Sequence, residues 1–286
     1  MKYNIEVRAV ALQEQSIEEK HARFLGRIEG LDAPWAPNKI VDAPDPGTGL
    51  VAVLRASKVF GKGVSGNLVY QFRRKFDDDA SEDDYLDISF NPQKVPYNEL
   101  IYSAFLKYVH AFDAYTANIS DDEFIYMDFD KQRELGIGDR DGIYRVCPVN
   151  YWSKSLCHKA FKLSPSQIVQ RLEGHVEIAE ETLGGVFVVL TSEILSTSDM
   201  DIICWRAKDR LASESTAGIP RLYRRVRRFL RALPGSRVTI LSSGYSSAPA
   251  AGATVCRIPR WNRGLIAIRY VISLLQSRRG QCEDSL

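Results

Sequence analysis

Hydrophobic and polar positions change period several times along the chain, and each change predicts an element. Tyr3–Val10 alternates polar and apolar residues and predicts a strand. Ser16-Ile17-Glu18-Glu19 has the form of a capping box and predicts a helix to about Leu31, with Ile17, Ala22, Phe24, Leu25 and Ile28 available for one face. Four prolines between Pro34 and Gly49 mark a loop. Leu50–Arg55 and Leu68–Phe72 read as strands around the turn-rich Gly61–Gly66 stretch, and Tyr85–Phe90 as another with Leu86, Ile88 and Phe90 on one side. From Pro96, Ile101, Phe105, Tyr108, Val109, Phe112 and Tyr115 recur mostly three and four apart, which predicts a helix ending near Asn118.

The second half repeats the alternation. Gly142–Val149 predicts a strand, and Ser153–Phe161 a helix. Ser164-Pro165-Ser166-Gln167 is a second capping box, opening a helix with Ile168, Val169 and Leu172 inside. Val176–Ala179 and Gly185–Leu190 predict a hairpin across Leu183-Gly184, and the unbroken run Val186–Leu190 has the composition of a strand covered on both faces. Ser196–Ser198 can cap a helix from about Asp199 to Leu211. Strands interleaved with amphipathic helices, several of them joined only by turns, predict an α+β fold. The expected architecture is a mixed, mostly antiparallel sheet covered by amphipathic helices, with an Arg-rich C-terminal extension.

Charge divides the chain at about the point where that pattern ends. Residues 1–204 hold 32 Asp and Glu against 22 Lys and Arg, whereas residues 205–286 hold 16 Lys and Arg against 4 Asp and Glu. We therefore read an acidic body over 1–212 and a basic segment over 213–286, two parts that can serve different partners. The body carries two carboxylate clusters, Asp77, Asp78, Asp79, Glu82, Asp83 and Asp84 in what reads as an exposed loop, and Asp121, Asp122 and Glu123 after the long helix. In the basic segment Arg221–Leu233 reads as an amphipathic helix. Arg221, Arg224, Arg225, Arg228 and Arg231 face away from its apolar stripe, suited to phosphate or to the acidic body.

No catalytic motif emerges. There is no phosphate-binding loop, no dinucleotide fingerprint and no nucleophile elbow. Cys157 and His158 are adjacent, but neighbours on a helix point about 100° apart and do not face each other. Asp128-Phe129-Asp130 and Asp139-Arg140-Asp141-Gly142 fail the spacing of a calcium loop, and the four histidines do not pair for zinc, so neither metal nor cofactor is expected. Tyr102, Tyr108 and Tyr115, with Tyr151-Trp152, read as core at helical spacing or as a recognition surface. Five scattered cysteines fit reduced thiols, and the absence of an apolar leader or spanning stretch predicts a soluble cytoplasmic protein.

Three segments carry a family likeness: Pro96–Tyr102, Ala111–Tyr115 and Gly142–Asn150, supported by Leu156–Phe161, Leu163–Pro165 and the stretch Val186–Leu211. In them the chain resembles bacterial immunity proteins of polymorphic-toxin and type VI secretion systems, the immunity protein 52 family in particular, which is associated with restriction-endonuclease-type toxins. The resemblance implies a non-catalytic inhibitor that binds a cognate secreted toxin. An acidic body suits a nuclease, whose DNA-binding cleft is basic, and the two carboxylate clusters are the expected contacts. The alternative is a nucleic-acid or phosphate-surface binder acting through the arginines of 221–231.

Overall fold

A computed structural model describes residues 1–47, 51–71 and 83–212. Among the described residues eight strands form one sheet: β1 (Tyr3–Val10), β2 (Val51–Arg55), β3 (Val64–Gln71), β4 (Asp83–Phe90), β5 (Thr116–Asp121), β6 (Val149–Ser153), β7 (Ile178–Thr182) and β8 (Gly185–Val189). Their order is β2-β3-β4-β1-β5-β6-β8-β7, and every neighbouring pair is antiparallel. The α+β class is as expected; the mixed character is not, because each described strand meets its neighbour head to tail.

Helices cover opposite faces at the two ends of the sheet. α1 (Ile17–Ile28) opens on the Ser16–Glu19 capping box. It packs with α4 (Phe105–Phe112) against the face carrying Ile5, Val7, Leu68, Tyr70, Leu86 and Ile88, all buried. Phe24 meets Phe112 edge-on at 5.4 Å, and Phe112 in turn meets Tyr70. The other face is covered over β6 and β8 by α6 (Lys154–Phe161) and α7 (Pro165–Leu172), with α8 (Thr197–Leu211) packed on α7. Trp152 on β6 meets Phe161 there, while Phe187 on β8 meets Phe105 on the α4 side. β8 is thus buried on both faces, as its apolar run predicted. Among the described residues no helix is long and apolar enough to cross a membrane.

Several local expectations are corrected. The long helix begins at Tyr97 as a short α3 (Tyr97–Glu99), passes through a π-helical turn at Leu100–Ala104, and stops at Phe112. Asp113 closes it in the left-handed region at φ 53°. Thr116–Asp121 then forms β5 instead of continuing the helix, because its alternation satisfies a strand between β1 and β6. The carboxylates Asp121–Glu123 run from the end of β5 into a further helix, α5 (Asp122–Glu134), which Asp121 caps. Gly142–Pro148 is irregular, and the strand begins only at Val149. A four-residue helix α2 (Ala56–Val59) follows β2.

Asp83 and Asp84 stand in β4, not in an exposed loop. The period of the strand puts Asp84 on the same face as Leu86 and Ile88, and it is fully buried. Lys20 from α1, equally buried, reaches it at 3.1 Å, and its ammonium lies 4.7 Å from the Phe112 ring centroid. The remaining members of that cluster, Asp77, Asp78, Asp79 and Glu82, lie outside the described residues. So do the segment 213–286 and Arg221, Arg224, Arg225, Arg228 and Arg231.

Candidate interaction surface

The face of β3, β4, β1 and β5 turned away from α1 and α4 carries polar side chains in rows set by the register. One row runs Asn67, Asp87, Glu6, Asn118 and Asn150 across five strands. The next runs Ser65, Ser89, Asn4 and Ser120. Asn150 is spent internally, exchanging hydrogen bonds with the Cys147 backbone. Glu6 accepts from Arg8 Nε at 2.6 Å and from Asn118 Nδ2 at 3.4 Å.

Glu6 and Asp87 are like charges directly opposite in an antiparallel pair, an arrangement that costs stability. Asp87 Oδ1 is buried with no hydrogen-bond partner. Burial first, then the neighbouring Glu6, pushes the Asp87 carboxyl up to about 6, although the Asn4 side chain works the other way. One end of this face is closed by ion pairs. Arg8 reaches Asp139 at 3.3 Å and Asp83 at 3.7 Å, and Arg140 holds Asp83 at 2.6 Å. The Tyr115 hydroxyl also donates to Asp83, at 2.6 Å.

α5 borders the same region. Asp121 caps it, accepting from the Glu123 amide through one oxygen and from the Thr197 hydroxyl through the other. Asp122 and Glu123 in the first turn suit the positive end of the helix dipole. The helix is held to the body through Phe124 and Asp128, its two buried residues. Arg145 grips both Asp128 oxygens, reaches Asp201 at 2.5 Å, and stacks 4.1 Å from the Phe124 ring centroid and 5.1 Å from that of Trp205. The outward side is unusual. Ile125, Tyr126 and Met127 are 43–57% exposed, and Leu135 follows just past the helix at 50%. Around them stand the carboxylates Asp122, Glu123, Asp130 and Glu134, with Lys131 and Arg133 confined to the last turn. Large apolar side chains gathered on an exposed, charged helix mark interaction surfaces.

The structure disposes of the other candidates. Cys157 is buried, its thiol pushed up to about 12 by burial and directed at the Trp152 carbonyl, while His158 is exposed, so they form no dyad. Asp128 is committed to Arg145, Asp139 to Arg8 and Asp141 to Lys159. Among the described residues no group of three or more His, Cys, Asp or Glu could hold a metal ion. Tyr108, Tyr151 and Trp152 are core, the Tyr108 hydroxyl donating to the Trp35 carbonyl at 2.6 Å; Tyr102 is exposed.

Of the expected contact residues, Asp121, Asp122 and Glu123 stand together at the head of α5, and Asp83 lies at the edge of the polar face. Asp84 is turned to the opposite side. Glu6 and Asp87 were invisible as a pair, since only strand register brings residues so distant in sequence together. The apolar members of α5 did leave a signal, Phe-Ile-Tyr-Met-Asp-Phe-Asp, an apolar run interleaved with carboxylates. A scan against models of known protein families finds no match to the chain, and a search of curated proteins finds none either.

Proposed function

We propose that the body is a non-catalytic binding protein that masks a basic protein partner, the toxin-neutralising role implied by the immunity-protein resemblance. One observation carries this reading. α5 presents Ile125, Tyr126 and Met127 to solvent amid Asp122, Glu123, Asp130 and Glu134, on a body whose sequence has an excess of carboxylates. Apolar anchors supply affinity once water is excluded, and surrounding charge supplies selection and rate. A basic nuclease cleft is the matching chemistry. The ion-paired end of the polar face, with Asp83, Arg140, Arg8 and Asp139, extends the surface away from the helix.

The test is co-expression of the full chain with the product of the adjacent gene, scored for growth rescue and co-purification. Rescue with a stable complex is expected. Tyr126→Ala and Ile125→Ala are expected to weaken that complex by about tenfold each, the scale of an interface anchor. Reversal of Asp122 and Glu123 to Lys should slow association instead. Equal lethality with and without the protein would sink the toxin-neutralising reading. The nucleic-acid alternative rests on Arg221, Arg224, Arg225, Arg228 and Arg231, outside the described residues. It would take over if the full chain bound DNA with a steep salt dependence that alanine at those five positions removed.

A further inference from the structure

Where β1 begins and β4 ends, the segment 92–98 faces the segment 192–195 across an open cleft of about 580 Å³. Pro92 and Val95 on one side and Ile194 and Leu195 on the other form apolar walls. Gln93, Asn98, Ser192 and Glu193 supply the polar groups. Among the described residues no Lys, Arg or His lines the cleft.

The floor is chemically incomplete. Tyr97 lines the cleft, is 5% exposed, and its buried hydroxyl has no hydrogen-bond partner. Tyr3 lies edge-on to it with ring centroids 5.5 Å apart, fully buried, its oxygen facing the Leu195 backbone amide. A buried hydroxyl without a partner, as at Tyr97, is costly unless something bonds to it. Burial, followed by the neighbouring Asp121, pushes the Tyr3 phenol up to about 12, although the Leu195 backbone amide works the other way; burial also raises Tyr97, so both stay neutral and the Tyr97 oxygen keeps its lone pairs open. Behind the 192–195 wall, Glu177 accepts from the Ser192 amide at 2.8 Å and from the Tyr102 hydroxyl at 3.2 Å. Burial opposes the Glu177 charge, but these bonds and Thr191 hold its carboxyl below the usual range. Glu193 adds a second carboxylate, exposed at the rim.

We propose that this cleft seats an alkylguanidinium group. The apolar walls take the aliphatic stem, as they would any long basic side chain. The planar head has several N–H donors in a fixed fork, enough to reach Glu193 and the Tyr97 oxygen together, which a single ammonium satisfies less well. Glu193 is met first, and the 192–195 wall gives slightly to admit an N–H to the Tyr97 hydroxyl. Glu193 disfavours an anion in the cleft, and a neutral amide gains from it less than a cation does. The guanidinium has two sources, an arginine of the protein partner or a small free molecule. Only the first rests on the binding role proposed above. The head of α5 lies close by, since Asp121 pairs with Tyr3 across β5 and β1.

The experiment titrates N-acetyl-arginine-N-methylamide into the full chain, followed by amide chemical shifts, with the isosteric but uncharged citrulline derivative as control. Saturable shifts confined to residues 93–98 and 192–195 are expected. Citrulline should bind about tenfold more weakly, because a charge-assisted hydrogen bond is lost. Tyr97→Phe and Glu193→Gln should each weaken the arginine probe several-fold while the circular dichroism stays unchanged. Equal binding of the two probes, shifts elsewhere, or no saturation at tens of millimolar would overturn the proposal. Repeating the titration on the complex separates the sources. A partner arginine already in place blocks the probe, whereas an undisturbed probe site points to a small molecule. The assay needs no partner, so its failure and the failure of the toxin-neutralising reading are distinct results.

Discussion

Single residues in this protein carry costs that the fold has to offset, and Asp87 is the most measurable. Its carboxyl is raised from 3.8 to about 6, so the folded protein holds this proton more tightly than the unfolded chain does. The contribution is therefore present below about pH 4 and lost as pH rises through about 6. Asp87→Asn should make the protein more stable at pH 7–8, by about 1–3 kcal/mol, and flatten its stability between pH 4 and 6. Urea denaturation across that range, wild type against variant, checks both the size and the sign. Lys20 behaves oppositely. Lys20→Met leaves Asp84 buried without its cation and should cost about 3–5 kcal/mol. The double variant Lys20→Met, Asp84→Leu should recover most of that loss in the same assay. Gly66 is a third special position, at φ 127°, where a Cβ would stand 2.0 Å from the Asp87 carbonyl oxygen. Gly66→Ala should consequently destabilise the β3–β4 pairing.

At the scale of elements, α5 is held by two buried residues along thirteen and exposes Ile125, Tyr126 and Met127. Its grip is Arg145, which holds Asp128 and Asp201 and covers Phe124 and Trp205. Lysine cannot form the same planar fork, so Arg145→Lys should loosen α5 selectively. Hydrogen exchange at 122–134 is expected to speed by about tenfold or more while the amides of β1 and β4 stay protected. Uniform acceleration would show that Arg145 supports the whole body, not this helix. Elements also show where periodicity misleads. Ile101 to Tyr115 kept helical spacing past the true end, because Tyr115 is two residues beyond the left-handed Asp113 and spends its hydroxyl on Asp83. The capping boxes at Ser16 and Ser164, by contrast, placed the first residues of their helices, since the bonds that make them are local, although the first helix stops at Ile28, short of the expected Leu31.

For the molecule as a whole, β3, β4, β1 and β5 separate a helix-covered face from a polar one, and Glu6 and Asp87 stand on the latter near the acidic first turn of α5. If that charge steers a basic partner, raising the ionic strength from about 0.02 M to about 0.5 M should slow association by about tenfold while changing dissociation little. Stopped-flow mixing with the purified partner separates the two rates. A dissociation rate that carries the salt effect would place the charges inside the contact rather than around it.

The α+β class, most strands and helices and both capping boxes were legible in the chain, because each depends on spacing over a few residues. Strand order was not, and neither was anything that depends on it. Glu6 and Asp87 became opposing carboxylates only when β1 paired with β4, and Tyr3 and Tyr97 became neighbouring buried phenols only when β1 met the segment after β4. Composition announced Asp83 and Asp84 as one exposed cluster. The two-residue period of β4 sent one to the polar face and the other into the core beside Lys20. Local spacing decides what an element is, whereas the partner across the sheet decides which side chains meet, and for this protein the proposed surfaces depend on those meetings.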